Sequence, residues 1–149
     1  MTLPPLPDAA VVIDAPAGDW RAAVRQAASA LQRAGAVSSG YADRMIDVIE
    51  QFGAYVVVAP GLALAHARPG SDVRHEGISV VTLAEPVAFG HPHHDPVSVV
   101  VGVAVENAEE HVALVAELAN VLDDPGLVSR LADAASADAV RELLGLEAA

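Results

Sequence analysis

The period of apolar and polar positions changes several times along the chain, and each change marks an element. From Trp20 onward, Val24, Ala27, Ala28 and Leu31 recur at helical spacing, with Asp19 placed as an N-cap and Gly35 as a stop. A second helix is predicted from about Ser39 to Gln51, presenting Tyr41, Met45, Val48, Ile49 and Phe52 on its apolar face and closed by Gly53. Strand-type runs follow. Tyr55 to Ala59 ends at Pro60-Gly61 and delivers the chain into a loop that carries His66, and Ile78 to Leu83 is broken by Glu85-Pro86. Val97 to Val105 is the longest apolar run and alternates so little that it is expected to be covered on both faces.

The C-terminal third returns to helical spacing. Asn107 with Glu110 three residues later reads as a capping box, opening a helix with His111, Leu114, Val115, Leu118 and Leu122 on one face. Asp124-Pro125 starts a short helix through Leu131, and Ser136 caps a last one with Val140, Leu143 and Leu144, ended by Gly145. Residues 1–18, with Pro4, Pro5, Pro7, Pro16 and Gly18, read as an N-terminal tail with a short extended piece at Val11-Val12-Ile13. Helices on both sides of a strand cluster argue for a single α/β (α+β) domain over residues 19–149, a mixed central β-sheet flanked by helices.

Composition narrows the chemistry. With 149 residues there is room for one sizeable core, and with 53% apolar but only 3% aromatic residues that core is built from small aliphatic side chains. The absence of cysteine removes disulfides, thiolate nucleophiles and thiolate metal sites. No signal-peptide pattern and no membrane-length apolar run are present, so a cytoplasmic protein is expected. Twenty acidic against eight basic residues, none of them lysine, give a formal charge of −12, which makes nucleic acid a poor partner and a basic protein surface a better one.

Six histidines are the main candidates for chemistry. The run His91-Pro92-His93-His94-Asp95 has the ligand types for zinc, but adjacent His93 and His94 point in different directions and no remote ligand pair accompanies them, so no metal is assigned and the run reads as a solvated loop. His66 stands between two Pro-Gly turns with Arg68 two residues on; His111 lies in the first turn of its helix. A neutral imidazole at a strand end offers a free lone pair near pH 7, and one at a helix start can donate a hydrogen bond to an oxyanion. Each is equally compatible with a packed core histidine. Spacing alone does not bring the two rings together.

The order of these features resembles a known family. The segment from Tyr55 through Pro60-Gly61-Leu62-Ala63-Leu64-Ala65-His66-Ala67-Arg68-Pro69, with Val81-Thr82-Leu83, Pro86-Val87, Phe89, His91, Asp95-Pro96-Val97 and the helix Asn107 to Leu118, is similar to the enzyme IIA domains of the fructose–mannitol class (type 2) of the bacterial sugar phosphotransferase system, above all to their ascorbate-type branch. The resemblance implies a phosphotransferase that works without a cofactor. His66 would accept a phosphoryl group from the histidine-containing phosphocarrier protein and pass it to a cysteine of a IIB component, with His111 helping to hold the phosphoryl group. The membrane IIC component is an indirect partner. Arg68 would add charge complementarity for the phosphoryl group or serve partner docking, and Leu62 and Leu64 would serve docking as an apolar rim that excludes water from a labile bond.

Two departures accompany the resemblance. Ala65 stands where the family usually has proline, so the backbone before His66 loses a fixed φ and is expected to be looser. Glu50 stands where mannitol-type members carry an arginine that assists phosphate binding. The expected function is a stand-alone phosphoryl carrier for uptake of ascorbate or a related sugar. The alternatives are a regulatory module of the same fold, switched by phosphorylation of His66, and a metal-binding protein using the His91 to Asp95 loop. Nothing in the periodicity demands a dimer.

Overall fold

The computed structural model describes residues 3–124 and 126–148. Its centre is a five-stranded mixed sheet in the order β1-β4-β5-β3-β2. The strands are β1 (Val11–Ala15), β2 (Val57–Ala59), β3 (Leu62–His66), β4 (Gly77–Val87) and β5 (Val97–Ala104). β4 and β5 are antiparallel, whereas β3 runs parallel to β5 in the unbroken register Leu62↔Val99 to His66↔Val103. β5 is therefore central and buried almost throughout, as its largely apolar run requires.

Strand parity divides the core in two. Ala63, Ala65, Val81, Leu83 and Val100 face α1 (Trp20–Arg33) and α2 (Tyr41–Phe52). Leu62, Leu64, Val80, Val99, Val101 and Val103 face α3 (Ala108–Val121), α4 (Leu127–Ala132) and α5 (Ala137–Leu144). Small residues let α1 lie close to the sheet: Ser79 Oγ donates to Ala27 O at 2.8 Å, and a Cβ on Gly102 would run into that same hydroxyl. The helix starts follow the expected chemistry. Asp19, Asn107 and Ser136 accept from the backbone N–H groups of Ala22, Glu110 and Ala139. Glu110 reaches back to the N–H of Glu106, one residue before the cap.

Three expectations are corrected. Of the expected tail over residues 1–18, the described residues from 3 onward are packed: Leu6 is buried, its N–H donates to Glu147 O, and Val11–Ala15 pairs in parallel with β4 as an edge strand. Arg141 secures this segment by donating to Leu6 O and Asp8. Prolines hid the strand because they flank it rather than interrupt it. Pro86 likewise does not end β4, because residues 84–86 are exposed between the paired positions Thr82 and Val87, where a missing N–H costs no ladder bond. Finally, the segment before His66 is a hairpin strand and not a loop. Gly61, at φ +77°, turns β2 back into β3. Pro125 lies outside the described residues, and the helix expected from there runs Leu127–Ala132.

Because α3 carries His111 in its first turn, its cap also positions that ring. Asn107→Ala is expected to destabilise the protein by about 1 kcal/mol, read as a lower urea midpoint at unchanged slope. An unchanged midpoint would remove Asn107 from this role.

Candidate functional site

β3 ends at His66. Alternation along the strand gives His66 the same face as Leu62 and Leu64, the side covered by α3, and there the first turn of α3 presents His111. The two rings meet with centroids 4.7 Å apart and planes at 62°. Tyr55, in the short turn before β2, approaches His66 edge-on at 6.5 Å. The rings lie in a cavity of about 530 Å³ lined also by Val48, Phe52, Arg68, Pro69, Ala108 and Val112.

The His66 ring is oriented by its own strand. Nδ1 lies 3.3 Å from Leu64 O, and since a carbonyl oxygen only accepts, Nδ1 carries the proton. The lone pair of the neutral ring is then on Nε2. Burial, followed by the neighbouring His111, lowers the His66 pKa below that of ordinary imidazole, against a smaller opposing effect of the Leu64 carbonyl. The ring is thus neutral at pH 7 and keeps a free lone pair. Among the described residues no carboxylate lines the cavity, and Arg68, on its rim, makes no hydrogen bond or ion pair. In a chain of formal charge −12, a concavity with an arginine and two histidines but no acid suits an anionic group.

His66, His111 and Arg68, singled out from sequence, come together here. Leu62 and Leu64 do not: at 0% and 4% exposure they are core residues beneath α3 and α4, and no partner can dock on them. The parity that aims His66 at α3 is what buries them. An apolar rim exists but is built from Phe52 (54% exposed), Tyr55 and Val112 (69% exposed). Ala65 does not leave the backbone loose, since it is held in the ladder opposite Gly102 and ordinary strand pairing stands in for the ring constraint. Glu50 is exposed, paired with Arg21 at 3.1 Å, and outside the cavity, whose wall on that helix is Val48 and Phe52. In the His91 to Asp95 run, His91 Nδ1 accepts from the N–H groups of His93 and His94, and Asp95 accepts from those of Phe89, Gly90 and His91. These groups brace the loop, and among the described residues no cluster of three or more His, Asp or Glu side chains is arranged to hold a metal ion.

Two features around the site escaped the sequence reading. Tyr41, assigned there to an apolar helix face, uses its hydroxyl on backbone next to His66. Arg44, one turn along α2, grips Asp72 through two hydrogen bonds of 2.7 and 2.6 Å, which holds the Asp72 carboxyl below the usual range. A tyrosine rather than phenylalanine on a buried stripe is the one available signal, because a buried phenol needs a partner.

This geometry has counterparts among known proteins. The family described as phosphoenolpyruvate-dependent sugar phosphotransferase system, EIIA 2, matches residues 5–145. The ascorbate-specific PTS system EIIA component of Salmonella typhimurium is 35% identical over 133 residues, covering 89% of this chain and 86% of that protein. The complex of enzyme IIA mannitol with phosphorylated enzyme IIB mannitol from Escherichia coli contains a chain that superposes with a TM-score of 0.81 at 28% identity, covering 92% of this chain and 94% of that one. The nitrogen regulatory protein IIA-Ntr from Neisseria meningitidis superposes at 0.79 with 27% identity, covering 93% and 95%. On this match along nearly its whole length, the chain belongs to the type 2 EIIA family of the phosphoenolpyruvate-dependent sugar phosphotransferase system, whose members are phosphotransferases.

Proposed function

We propose that this protein relays a phosphoryl group through His66 Nε2, taking it from the histidine-containing phosphocarrier protein and giving it to a cysteine of a IIB component, for uptake of ascorbate or a related sugar acid. The observation that carries the reading is the placement of the His66 ring: Nδ1 lies 3.3 Å from Leu64 O, which leaves the lone pair on Nε2, and the His111 ring centroid is 4.7 Å away. In the first transfer Nε2 attacks phosphorus in line, the Nε2–P bond forms, and the P–N bond to the donor imidazole breaks. In the second, a thiolate sulfur attacks and the bond to Nε2 breaks, returning the lone pair to the ring. Both are displacements between partner proteins, so what this chain supplies is position and charge complementarity.

The surrounding residues suit that task. His111 and Arg68 are the donors available to the phosphoryl oxygens, and the acid-free cavity wall avoids repelling them. Phe52, Tyr55 and Val112 offer a partner an apolar surface that excludes water from the reacting nitrogen. No described helix is long and apolar enough to cross a membrane, and the relay is assigned to the cytoplasm, acting on a membrane IIC component only through IIB. The ascorbate assignment rests on relatives such as the Salmonella typhimurium protein. A second reading, in which phosphorylation of His66 switches binding to a regulated partner, draws on the similar fold of the nitrogen regulatory protein from Neisseria meningitidis. Phosphorylation adds nearly two charges to this surface, enough to alter docking. Capture of a regulator but of no IIB component by the phosphorylated protein would favour it.

Incubated with phosphoenolpyruvate, enzyme I and the phosphocarrier, the protein is expected to gain one acid-labile phosphoryl group by intact mass, and His66→Ala none. A labelled His66→Ala variant would move the acceptor elsewhere. Because the His66 pKa is lowered, the ring loses its lone pair only when pH falls below that of ordinary imidazole titration. The acid limb of the phosphorylation rate should therefore be centred below the ordinary imidazole value of about 6.5; a limb centred above it would contradict the neutral buried ring. His111→Gln removes one contribution that lowers the His66 pKa, together with a phosphoryl donor. We expect its acid limb at higher pH and a rate about 100-fold slower, measured by quenched-flow transfer from the phosphocarrier; an unchanged limb and rate would exclude His111 from the site.

A further inference from the structure

We propose that Tyr41 is a positioning residue for the His66 site: its hydroxyl bridges the β3–β5 ladder where the strands part, donating to Val103 O and accepting from Ala67 N–H, and thereby sets where the His66 ring stands. The two bonds measure 2.6 and 3.1 Å. Val103 is the register partner of His66, and Ala67 is the residue that follows it. Both backbone groups held by the phenol thus flank the reacting ring, on the two strands that define its position.

The side chain is built for this. Tyr41 is the first residue of α2 and is 0% exposed, so neither hydrogen bond competes with water. Burial raises its pKa, keeping the hydroxyl protonated and able to donate throughout the working range. Arg44, whose guanidinium lies 5.4 Å from the Tyr41 ring centroid, holds Asp72 from the same helix. Asp72 O in turn accepts from Ser38 N at 2.8 Å. The segment from Ala67 to Asp72 is therefore tied at its start by Tyr41 and at its end by Arg44, with exposed Arg68 on the cavity rim between them. A phenylalanine would fill the same volume but leave two buried backbone groups unpaired beside His66.

The effect on rate rests on the phosphoryl relay proposed above; the effect on ring geometry does not. In Tyr41→Phe, transfer from the phosphocarrier to His66 should slow about 10- to 100-fold, with KM for the phosphocarrier unchanged. Its His66 imidazole ¹⁵N spectrum should shift from a single Nδ1–H tautomer toward an averaged one. Leu131→Ala, which truncates the core beneath α4, serves as the stability control: it should lower Tm yet keep the wild-type rate and tautomer. Wild-type rate and ring spectrum in Tyr41→Phe, or an equal slowing in Leu131→Ala, would overturn the assignment. If the wild type takes no phosphoryl group, the relay reading fails, and the ring spectrum decides alone: averaging in Tyr41→Phe upholds Tyr41 as a positioning residue, and an unchanged spectrum removes it.

Discussion

Five consecutive register pairs, Leu62↔Val99 to His66↔Val103, lock β3 onto β5, and the geometry of the site depends on them. β5 is held on its other side by β4, so β3 docks on the most buried strand of the sheet. A slip of one residue would turn His66 to the α1–α2 side and bring Leu62 and Leu64 with it. Two apolar cores on opposite faces oppose such a slip, since each is filled by one parity of the strands. Placement of the His66 ring is thus inherited from packing that has nothing to do with chemistry.

Charge is arranged around that frame by exclusion. Arg21–Glu50, Arg25–Asp43 and Arg130–Asp124 are exposed ion pairs whose contribution to stability is small. Arg141, largely buried, fastens the N-terminal segment to the C-terminal helix. Around His66 the wall is apolar apart from the two imidazoles, the Tyr55 phenol and Arg68. Desolvation keeps the His66 ring neutral, and the absence of an acid in the lining keeps the cavity open to an anion despite the net charge of the chain. The same low polarity that keeps the His66 lone pair free also makes the rim attractive to an apolar partner surface.

Legibility in the sequence followed how local each feature is. The caps at Asp19, Asn107 and Ser136 and the stops at Gly53 and Gly145 were readable because a cap involves residues within one turn. The buried β5 was readable because both its faces are apolar. β1 was read only as a short extended piece in a tail, since an edge strand flanked by prolines has no pattern of its own until β4 pairs with it. Leu62 and Leu64 were misjudged as a rim because the hairpin at Gly61, which sends alternate residues of β3 inward, was read as a loop.

By itself the sequence determined the caps at Asp19, Asn107 and Ser136, the apolar central strand, the candidate histidines and, through the resemblance carried by the His66 segment, the family. Local propensity and side-chain period act over a few residues, and a family signature is a string of residues in order. Only the tertiary structure decided that His66 and His111, 45 positions apart in the chain by their numbers, share one cavity. It also decided that Phe52, Tyr55 and Val112 form the rim and that the Tyr41 hydroxyl closes the ladder beside the His66 ring. Those are contacts between distant segments, and their geometry is set by strand order and helix docking rather than by any neighbour in the chain.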